Sequence, residues 1–236
     1  GNFGDQQAIE MAADEVDQLQ NKRGVAATDD ALKFEWDTTG DVASTHGAEL
    51  KGIIDAKKAF HESTTDGLLG LVLDRTAFYA EAGGQVADVG SITGAGGGAF
   101  EVVDVRKFGP FVVHVGRVTG GGLKVGEAVT MQVDYAKRGL TAKNHTSTHM
   151  LNLALREALG QTCDQRGSLN DQDKLRFDFA YNKPLTEAEL AKAQELVNKQ
   201  IEAALPVNTK VVGLEGAKKI NGLRAVFGEQ YPDPAR

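Results

Sequence analysis

Two histidines, His145 and His149, stand four residues apart in the run NHTSTHML at residues 144–151. Residues 151–160 are good helix formers and end in a glycine that suits a helix C-cap. On a helix of about 3.6 residues per turn, positions i and i+4 project from the same face, as a two-histidine metal chelate requires. The spacing therefore predicts a metal-binding pair, with an ordinary polar surface pair as the alternative. The glutamate of an HExxH zinc-protease motif is missing, which excludes that class.

A helical wheel places four polar residues on one stripe of this helix: His145, His149, Asn152 and Arg156. The apolar residues fall on the other side, and they are Met150, Leu151, Ala154, Leu155 and Ala158. We therefore expect the two histidines to lie outside the core. They share their face with an amide and a guanidinium, which suits a metal together with an anionic ligand.

The elements that position this helix begin with a glycine-punctuated region over residues 67–134. Residues 68–73, 85–92, 100–107, 111–118 and 127–133 alternate or run apolar, with glycine-rich turns between them. Short strands at such intervals predict an antiparallel barrel or sandwich. His114 falls on one of these strands, and we interpret it as structural.

The first 65 residues give a weaker pattern. Helical spacing of apolar residues predicts a bracing or linker helix over residues 1–25, and a few strands follow. His46 and His61 lie in this region and are interpreted as surface histidines without partners. The domain prediction is a linker segment over 1–65, a barrel over 66–135 and a further domain over 136–236.

The last hundred residues read as an α+β unit. A hairpin is predicted over residues 165–179, with a polar turn at 170–173. Thr186 and Glu189 form the capping-box pattern of a helix that runs to about residue 205, where Pro206 stops it. A strand over 207–212, a short helix over 214–220 and a closing segment over 227–236 complete the prediction.

Composition limits the class of protein. The chain has 236 residues and is 41% hydrophobic. Its total net charge of −7, taken alone, argues against a protein that binds nucleic acid. Residues 136–183, however, hold eight basic and five acidic side chains, and local patches attract phosphates. No apolar run approaches the roughly 18 residues of a membrane span, and no signal peptide opens the sequence. The single cysteine, Cys163, excludes an intramolecular disulfide and favours the reducing cytoplasm.

Several motifs together resemble one family. DRTAFYAEAGGQ at residues 74–85 resembles the TPFYAExGGQ signature of alanyl-tRNA synthetases, with Ala77 in place of proline and Ala82 at a position that is usually serine or glutamine. NHTSTHML resembles their editing-site helix. QRGSL at 165–169, LRFDF at 175–179 and AVFGEQY at 225–231 follow in the family's order. The resemblance covers residues 66–236, and the first 65 residues resemble the family's linker only loosely.

The resemblance implies an α+β fold, in which an antiparallel β-barrel precedes an editing domain of the alanyl/threonyl-tRNA synthetase type. It implies hydrolysis of tRNA(Ala) mischarged with serine or glycine, because a pocket sized for alanine cannot strongly exclude either amino acid. Zinc would be bound by His145 and His149, and Gln165 would be a catalytic residue in the editing pocket. The expected contacts to the acceptor end of tRNA(Ala) are Asn152, Arg156, Arg166, Lys174 and Arg176. The remainder of the synthetase is the other expected partner, and ATP and Mg²⁺ belong to its aminoacylation domain.

The GGQ tripeptide at residues 83–85 also resembles that of peptide release factors, where it reaches an ester bond on tRNA. Gly83 and Gly84 are more simply explained as the positive-φ residues of a turn between two strands.

The sequence departs from the family in its metal ligands. The family completes its zinc site with a later CxxxH, and in relatives this pair lies beyond the region that corresponds to residues 231–234. No such motif occurs here, and no histidine follows His149. Two histidines are fewer than the three protein ligands usual for catalytic zinc. Nor does the chain resemble the aminoacylation core. The alternatives are therefore an inactive synthetase-derived module with a structural or RNA-binding role and, less favoured, a free-standing editing protein.

Overall fold

A computed structural model describes residues 8–36, 45–160, 163–208 and 210–223. Among these, the residues up to 146 together with 168–176 form one compact unit, and the others form a second. We refer to them as the barrel unit and the C-terminal unit.

The barrel unit contains seven strands in an antiparallel sheet, whose order is β2-β1-β3-β6-β5-β4-β7. The strands are β1 (Thr45–Asp55), β2 (Phe60–His61), β3 (Leu69–Leu73), β4 (Gly90–Gly94), β5 (Ala99–Phe108), β6 (Phe111–Gly120) and β7 (Ala128–Val133). β1 also pairs with β7, so the sheet closes into a barrel. The predicted antiparallel barrel is confirmed, and the predicted strands at 68–73, 100–107, 111–118 and 127–133 are β3, β5, β6 and β7.

The sheet begins earlier in the chain than predicted. β1 aligns Thr45 with Gln132 of β7 and Leu50 with Leu73 of β3. A few strands were predicted in this region, but the full length of β1 was not indicated, because its first half carries polar residues and glycine and only its second half is apolar. The linker predicted over residues 1–65 therefore contains two strands of the barrel.

The predicted strand over 85–92 is displaced, because β4 begins only at Gly90. Residues 85–89 instead bond to other segments. The backbone N–H of Val86 donates to the carbonyl of Asn170 at 3.1 Å, and the Asp88 carboxylate accepts from the N–H of Tyr79 at 2.7 Å.

Two apolar clusters stabilise the barrel unit. The larger one includes Leu69, Leu71 and Leu73 of β3 together with Phe78 and Phe100. The second lies on the other face of β3 and contains residues of β1, β3 and β6 with the N-terminal segment; its buried members are Ile9, Met11, Leu19, Val25, Ile54, Val72, Phe111, Val113 and Val115. Burial on both faces explains why β3 reads as a continuous apolar run.

The N-terminal segment braces the barrel with less helix than predicted. Its helix, α1 (Ala13–Asp17), continues into a wider helical turn at Gln18–Lys22, and residues 8–12 are not helical. Gly70 allows the close approach, because a Cβ there would lie 2.9 Å from Ile9 Cγ2 and 2.6 Å from Val113 Cγ1.

The long helix α2 (Tyr135–Leu159) follows β7 directly. Asp134 caps its start, since its carboxylate accepts from the N–H of Lys137 at 3.0 Å. Gly160, at φ +97°, ends it as predicted, and its N–H donates to the carbonyl of Arg156 at 2.9 Å. The division between the two units falls within this helix.

The hairpin predicted over 165–179 is confirmed as β8 (Gln165–Asn170) and β9 (Leu175–Phe179), which pair in a two-stranded sheet. α3 (Glu187–Ala203) begins at the predicted capping box, in which the N–H of Glu189 donates to Thr186 Oγ1 and the Glu189 carboxylate accepts from the N–H of Thr186. The core of the C-terminal unit contains Ala154, Leu155, Cys163 and Ala193, with Phe177, Phe179 and Leu196 packed against them.

Two predictions near the C-terminus differ from the structure. Among the described residues of 207–212 there is no strand, and Val207 and Val211 are exposed. The helix predicted over 214–220 is α4 (Leu214–Ala217), with turns after it. The predicted closing segment 227–236, and the motif at 225–231, lie outside the described residues.

Candidate functional site

α2 carries both histidines of the sequence motif. His145 is half-buried and His149 is exposed, in keeping with the prediction that neither is a core residue. They lie four positions apart in an uninterrupted helix.

His145 is held by a glutamine from the barrel. Its Nδ1 lies 2.9 Å from Oε1 of Gln85, a side chain that is only 7% exposed. An amide oxygen can only accept a hydrogen bond, so the imidazole must donate from Nδ1. In neutral His145 the lone pair then lies on Nε2, which is the ring atom that can accept a proton or bind a metal ion.

Gln85 closes a two-residue β-turn. The N–H of Gln85 donates to the carbonyl of Ala82 at 3.0 Å, and the N–H of Ala82 donates back at 3.2 Å. The two central residues, Gly83 and Gly84, have φ values of +59° and +81°. Positive φ at both central positions is the type I′ pattern, which matches the twist of the flanking chain. The predicted role of the two glycines is therefore confirmed.

The hairpin turn after β8 bonds to this GGQ turn. The N–H of Asn170 donates to the carbonyl of Gly84 at 2.7 Å, and the carbonyl of Asn170 accepts from Val86 as noted above. Asn144 of α2 donates from Nδ2 to the carbonyl of Asp171 at 2.8 Å. Three segments that are distant in sequence thus meet around His145.

A cleft of about 250 Å³ lies beside this junction in the barrel unit. It is lined by Val86, Ala87, Asp88, Val89, Lys137, Arg138, Thr141, Asp171, Gln172 and Asp173. Its wall contains the buried ion pair of Arg138 with Asp88, and the guanidinium also donates to the carbonyls of Lys33 and Ala77. Burial raises the pKa of Asp88, and the bonds from Arg138 oppose that effect.

The predicted site residues divide between the two units. His145, Lys174 and Arg176 belong to the barrel unit, where both cationic side chains are exposed. The N–H of Lys174 donates to Asp171 Oδ1 at 2.8 Å, which fixes the turn that carries it. The other predicted residues belong to the C-terminal unit, and they are His149, Asn152, Arg156, Gln165 and Arg166.

Within the C-terminal unit, the predicted polar stripe is less exposed than the wheel suggests. Arg156 is half-buried, with Nη1 4.0 Å from Asp164 Oδ1. Oδ1 of Asn152 is buried and accepts no hydrogen bond from the described residues. Gln165 is half-buried, and Arg166 is exposed at the start of β8. Arg166 is thus the most accessible cation for a phosphate among these residues.

The described residues do not provide a complete zinc site. No group of three or more His, Cys, Asp or Glu side chains among them is arranged to bind a metal ion. Cys163 is buried in the apolar core, and this burial raises the pKa of its thiol, which disfavours the thiolate that zinc requires. His145 and His149 are two of the ligands that the resemblance implies, one fewer than catalytic zinc uses.

The remaining histidines are all bonded. His46 Nε2 lies 3.1 Å from the Tyr135 hydroxyl, and His61 Nε2 lies 2.9 Å from Asp55 Oδ2. The interpretation of these two as histidines without partners was wrong, because β1 brings them beside residues that sequence distance concealed. His114 is fully buried in β6, which agrees with its structural interpretation.

Gln85 is the residue that sequence reasoning missed. The GGQ tripeptide was interpreted only through its glycines, and its glutamine lies sixty positions before the histidine that it contacts. A glutamine directly after a two-glycine turn was the available signal, since such a turn fixes the direction of the next side chain.

Comparison with known proteins supplies the family context. A family model described as tRNA synthetases class II (A) matches residues 4–137. The cytoplasmic alanine–tRNA ligase of Dictyostelium discoideum is 43% identical over 216 residues, which are 90% of this chain and 22% of that protein. The mitochondrial alanine–tRNA ligase of Saccharomyces cerevisiae is 40% identical over 229 residues, 97% of this chain and 22% of that protein.

A bacterial alanine–tRNA ligase, from Psychrobacter cryohalolentis, is 44% identical over 176 residues, 74% of this chain and 20% of that protein. The chain thus spans about a fifth of the length of these relatives. The matches extend into the first 65 residues, where only a loose resemblance was expected. No helix of the described residues is long and apolar enough to cross a bilayer.

Proposed function

Because this chain belongs to the alanyl-tRNA synthetase family, we propose that it provides the editing part of such an enzyme, which hydrolyses seryl- and glycyl-tRNA(Ala). The observation that supports this most directly is the pair of histidines on α2, one of them bonded to the buried Gln85. This arrangement gives His145 a defined proton position, as a residue that works on a reacting group needs.

The reaction follows from the chemistry of the ester. Water adds to the aminoacyl carbonyl, the C–O bond to the ribose breaks, and the ribose oxygen takes up a proton. The half-buried amide of Gln165 can both donate and accept, so we assign it the positioning of the substrate's amino acid. Exposed Arg166, Lys174 and Arg176 are assigned to the acceptor-end phosphates, with Asn152 and Arg156 as further tRNA contacts.

Zinc enters the proposal only through His145 and His149. Their neutral imidazoles would bind the ion. A zinc site that has its full set of protein ligands polarises a bound water or a carbonyl. Since the described residues are one ligand short, no step above is assigned to the ion. ATP and Mg²⁺ belong to aminoacylation, for which this chain contributes no assigned residue. The proposed partners are the acceptor end of tRNA(Ala) and the rest of a synthetase, and the proposed compartment is the cytoplasm.

Deacylation of seryl-tRNA(Ala) tests the proposal, with correctly charged alanyl-tRNA(Ala) as the substrate control. A full-length synthetase that contains this sequence is expected to hydrolyse the seryl ester selectively. His149→Ala is expected to reduce the rate by about 10–100-fold, the usual effect of disturbing such a site. Turnover that is unchanged in His149→Ala would contradict the assignment of the histidine pair.

The 236-residue chain by itself is expected to bind zinc weakly and to deacylate slowly, because two imidazoles are a poor site. Zinc affinity is measured by competition with a chelating dye, and deacylation is measured with and without added zinc. Fast deacylation by this chain that is independent of His149 would require a different catalytic group.

The incomplete ligand group favours a second candidate, an inactive module that binds RNA or supports a larger assembly. This candidate predicts that a full-length synthetase binds seryl-tRNA(Ala) through Arg166, Lys174 and Arg176 but leaves its ester intact. Filter binding measured beside deacylation separates the two candidates.

A further inference from the structure

The GGQ turn is built differently from one that reaches out to a substrate. Gln85 is 7% exposed, and its amide oxygen is engaged by Nδ1 of His145. Because this side chain is buried behind His145, it can influence a ligand only through its hydrogen bond to that imidazole. Its role must therefore be sought in the state of His145.

The backbone around Gln85 is fixed on both sides. Before it, the turn bonds with Ala82 hold the N–H and the carbonyl of Gln85 itself. Its two neighbours in the chain, Gly84 and Val86, both bond to Asn170, with which Gln85 forms a parallel β-bridge. A side chain that extends from such a backbone has little freedom, so its bond to His145 costs little additional entropy.

Neighbouring atoms restrict the turn further. A Cβ on Gly84 would lie 2.7 Å from the carbonyl oxygen of Ser168, so the turn lies directly against β8. A Cβ on Gly83 would lie 3.8 Å from Cε1 of His145, an ordinary contact distance. The imidazole therefore lies against the same turn that supplies its hydrogen-bond acceptor.

We propose that Gln85 is a positioning residue that holds His145 in the Nδ1–H tautomer and thereby places the ring's lone pair on Nε2. A neutral imidazole without such an acceptor exchanges between its two tautomers, and the basic nitrogen changes with it. The buried amide oxygen selects one tautomer before any substrate arrives. The importance of this selection for catalysis rests on the proposed editing function, whereas the selection itself does not.

The tautomer is measured directly by long-range ¹H–¹⁵N correlation spectra of the imidazoles, recorded on the 236-residue chain near pH 8, where ordinary histidines are neutral. The His145 signals are assigned by their loss in His145→Asn. We expect a protonated Nδ1 and an unprotonated Nε2. Gln85→Leu, which removes the acceptor at nearly constant size, should shift both nitrogens towards the averaged values of an exchanging ring.

Two further variants guard against a general loss of structure. Gln85→Glu retains an acceptor and is expected to restore the Nδ1–H signature. Gln132→Leu makes the same change at an exposed position of the barrel, on β7, and should leave His145 unchanged. If Gln85→Leu does not fold, Gln85→Asn tests the same contact by shortening the side chain. The cooperative thermal unfolding of each variant is compared with that of the unsubstituted chain.

A second readout connects the tautomer to the reaction. In a full-length synthetase, Gln85→Leu is expected to lower kcat for seryl-tRNA(Ala) deacylation by about 10-fold and to leave KM unchanged, because Gln85 does not contact the substrate. Gln85→Glu should recover most of this loss.

The proposal is overturned if His145 is in the Nε2–H form in the unsubstituted chain. It is equally overturned if a folded Gln85→Leu keeps the Nδ1–H signature. These results need no substrate, so they are independent of whether the protein edits. Absence of deacylation in the unsubstituted synthetase, together with the expected spectra, would reject the editing function and retain the role of Gln85.

Discussion

His114 lies in the barrel wall with both ring nitrogens bonded. Nδ1 donates to the carbonyl of Leu71 at 2.9 Å, so Nε2 accepts from the Thr76 hydroxyl at 2.7 Å. In the protonated ring Nε2 would have to donate to the Thr76 hydroxyl, and a charge would lie where no water reaches it. Burial accordingly lowers the pKa of His114 to about 4. His145 is also bonded at Nδ1, but it is only half-buried, so the same kind of hydrogen bond holds a ring inside the barrel wall in one place and a partly accessible ring in the other.

The buried state of His114 predicts a loss of stability in weak acid. Its folded pKa of about 4 lies below the ordinary 6.5, so its contribution is complete above pH 6.5 and is lost as pH falls from 6.5 to 4. The maximum effect is about 3 kcal/mol in the free energy of unfolding. Urea denaturation at several pH values measures it.

The control for this prediction is His114→Gln, which can still bond to Thr76 and Leu71 but cannot take up a proton. Its unfolding free energy should depend less on pH than that of the unsubstituted protein between pH 6.5 and 4. Parallel pH profiles for the two proteins would show that His114 does not titrate on unfolding.

At the scale of elements, the GGQ turn is the junction of the barrel unit. It joins the barrel to the hairpin turn through Asn170 and to α2 through His145. Its conformation depends on glycine for two separate reasons, namely positive φ at both central residues and the close approach of Ser168 to Gly84. These two reasons can be separated by substitution.

Gly84→Ala combines a φ of +81° with a Cβ only 2.7 Å from the Ser168 carbonyl oxygen, whereas Gly83→Ala meets nothing closer than 3.8 Å. We expect Gly83→Ala to cost about 1 kcal/mol from backbone strain and Gly84→Ala to cost about 1–3 kcal/mol more. Chemical denaturation of the two variants gives the difference. Equal costs would mean that Ser168 moves away without penalty.

The start of α3 offers a second test at this scale. Thr186 Oγ1 accepts from the N–H of Glu189, and the Glu189 carboxylate accepts from Thr186 in return. These bonds from Thr186 lower the pKa of Glu189 to about 2. Thr186→Ala should destabilise the C-terminal unit by about 1 kcal/mol. Thr65→Ala, at an exposed loop position, is the matched control and should be neutral within error in thermal unfolding.

For the whole molecule, the N-terminal segment is part of the barrel unit. Leu19 is fully buried, and its Cδ1 lies 3.0 Å from the position that a Cβ on Gly52 of β1 would occupy. Leu19→Ala is therefore expected to destabilise the protein by about 2–5 kcal/mol, as in other buried leucines. Leu153→Ala, at a position that is 47% exposed, should have a much smaller effect in the same denaturation experiment. Similar effects of the two substitutions would contradict the docking of this segment.

Patterns within one segment allowed most of the elements to be predicted. Alternating or continuous apolar runs located β3, β5, β6 and β7, and the local chemistry of Thr186 with Glu189 and of Gly160 located the ends of helices. Pairings between distant segments could not be predicted. The bounds of β1 could not be predicted, because its first half pairs with β7 at a distance in sequence, and the contact of Gln85 with His145 depends on how the barrel is closed. The valines of 207–212 show the converse, since among the described residues of this range β-propensity alone gave no strand beyond a single bridge at Val212.

The closure of the barrel by β1 and β7 also constrains how the protein emerges from the ribosome. Thr45 aligns with Gln132, so nearly the whole barrel sequence must be synthesised before residues 45–49 of β1 can pair with β7. Pairing over such a separation is intrinsically slow. Until β7 emerges, residues 45–49 of β1 remain open to pairing with other nascent chains. A pause in translation shortly after residue 133 would give this edge time to close, whereas a pause just before β7 would prolong its exposure to neighbouring chains on a crowded polysome.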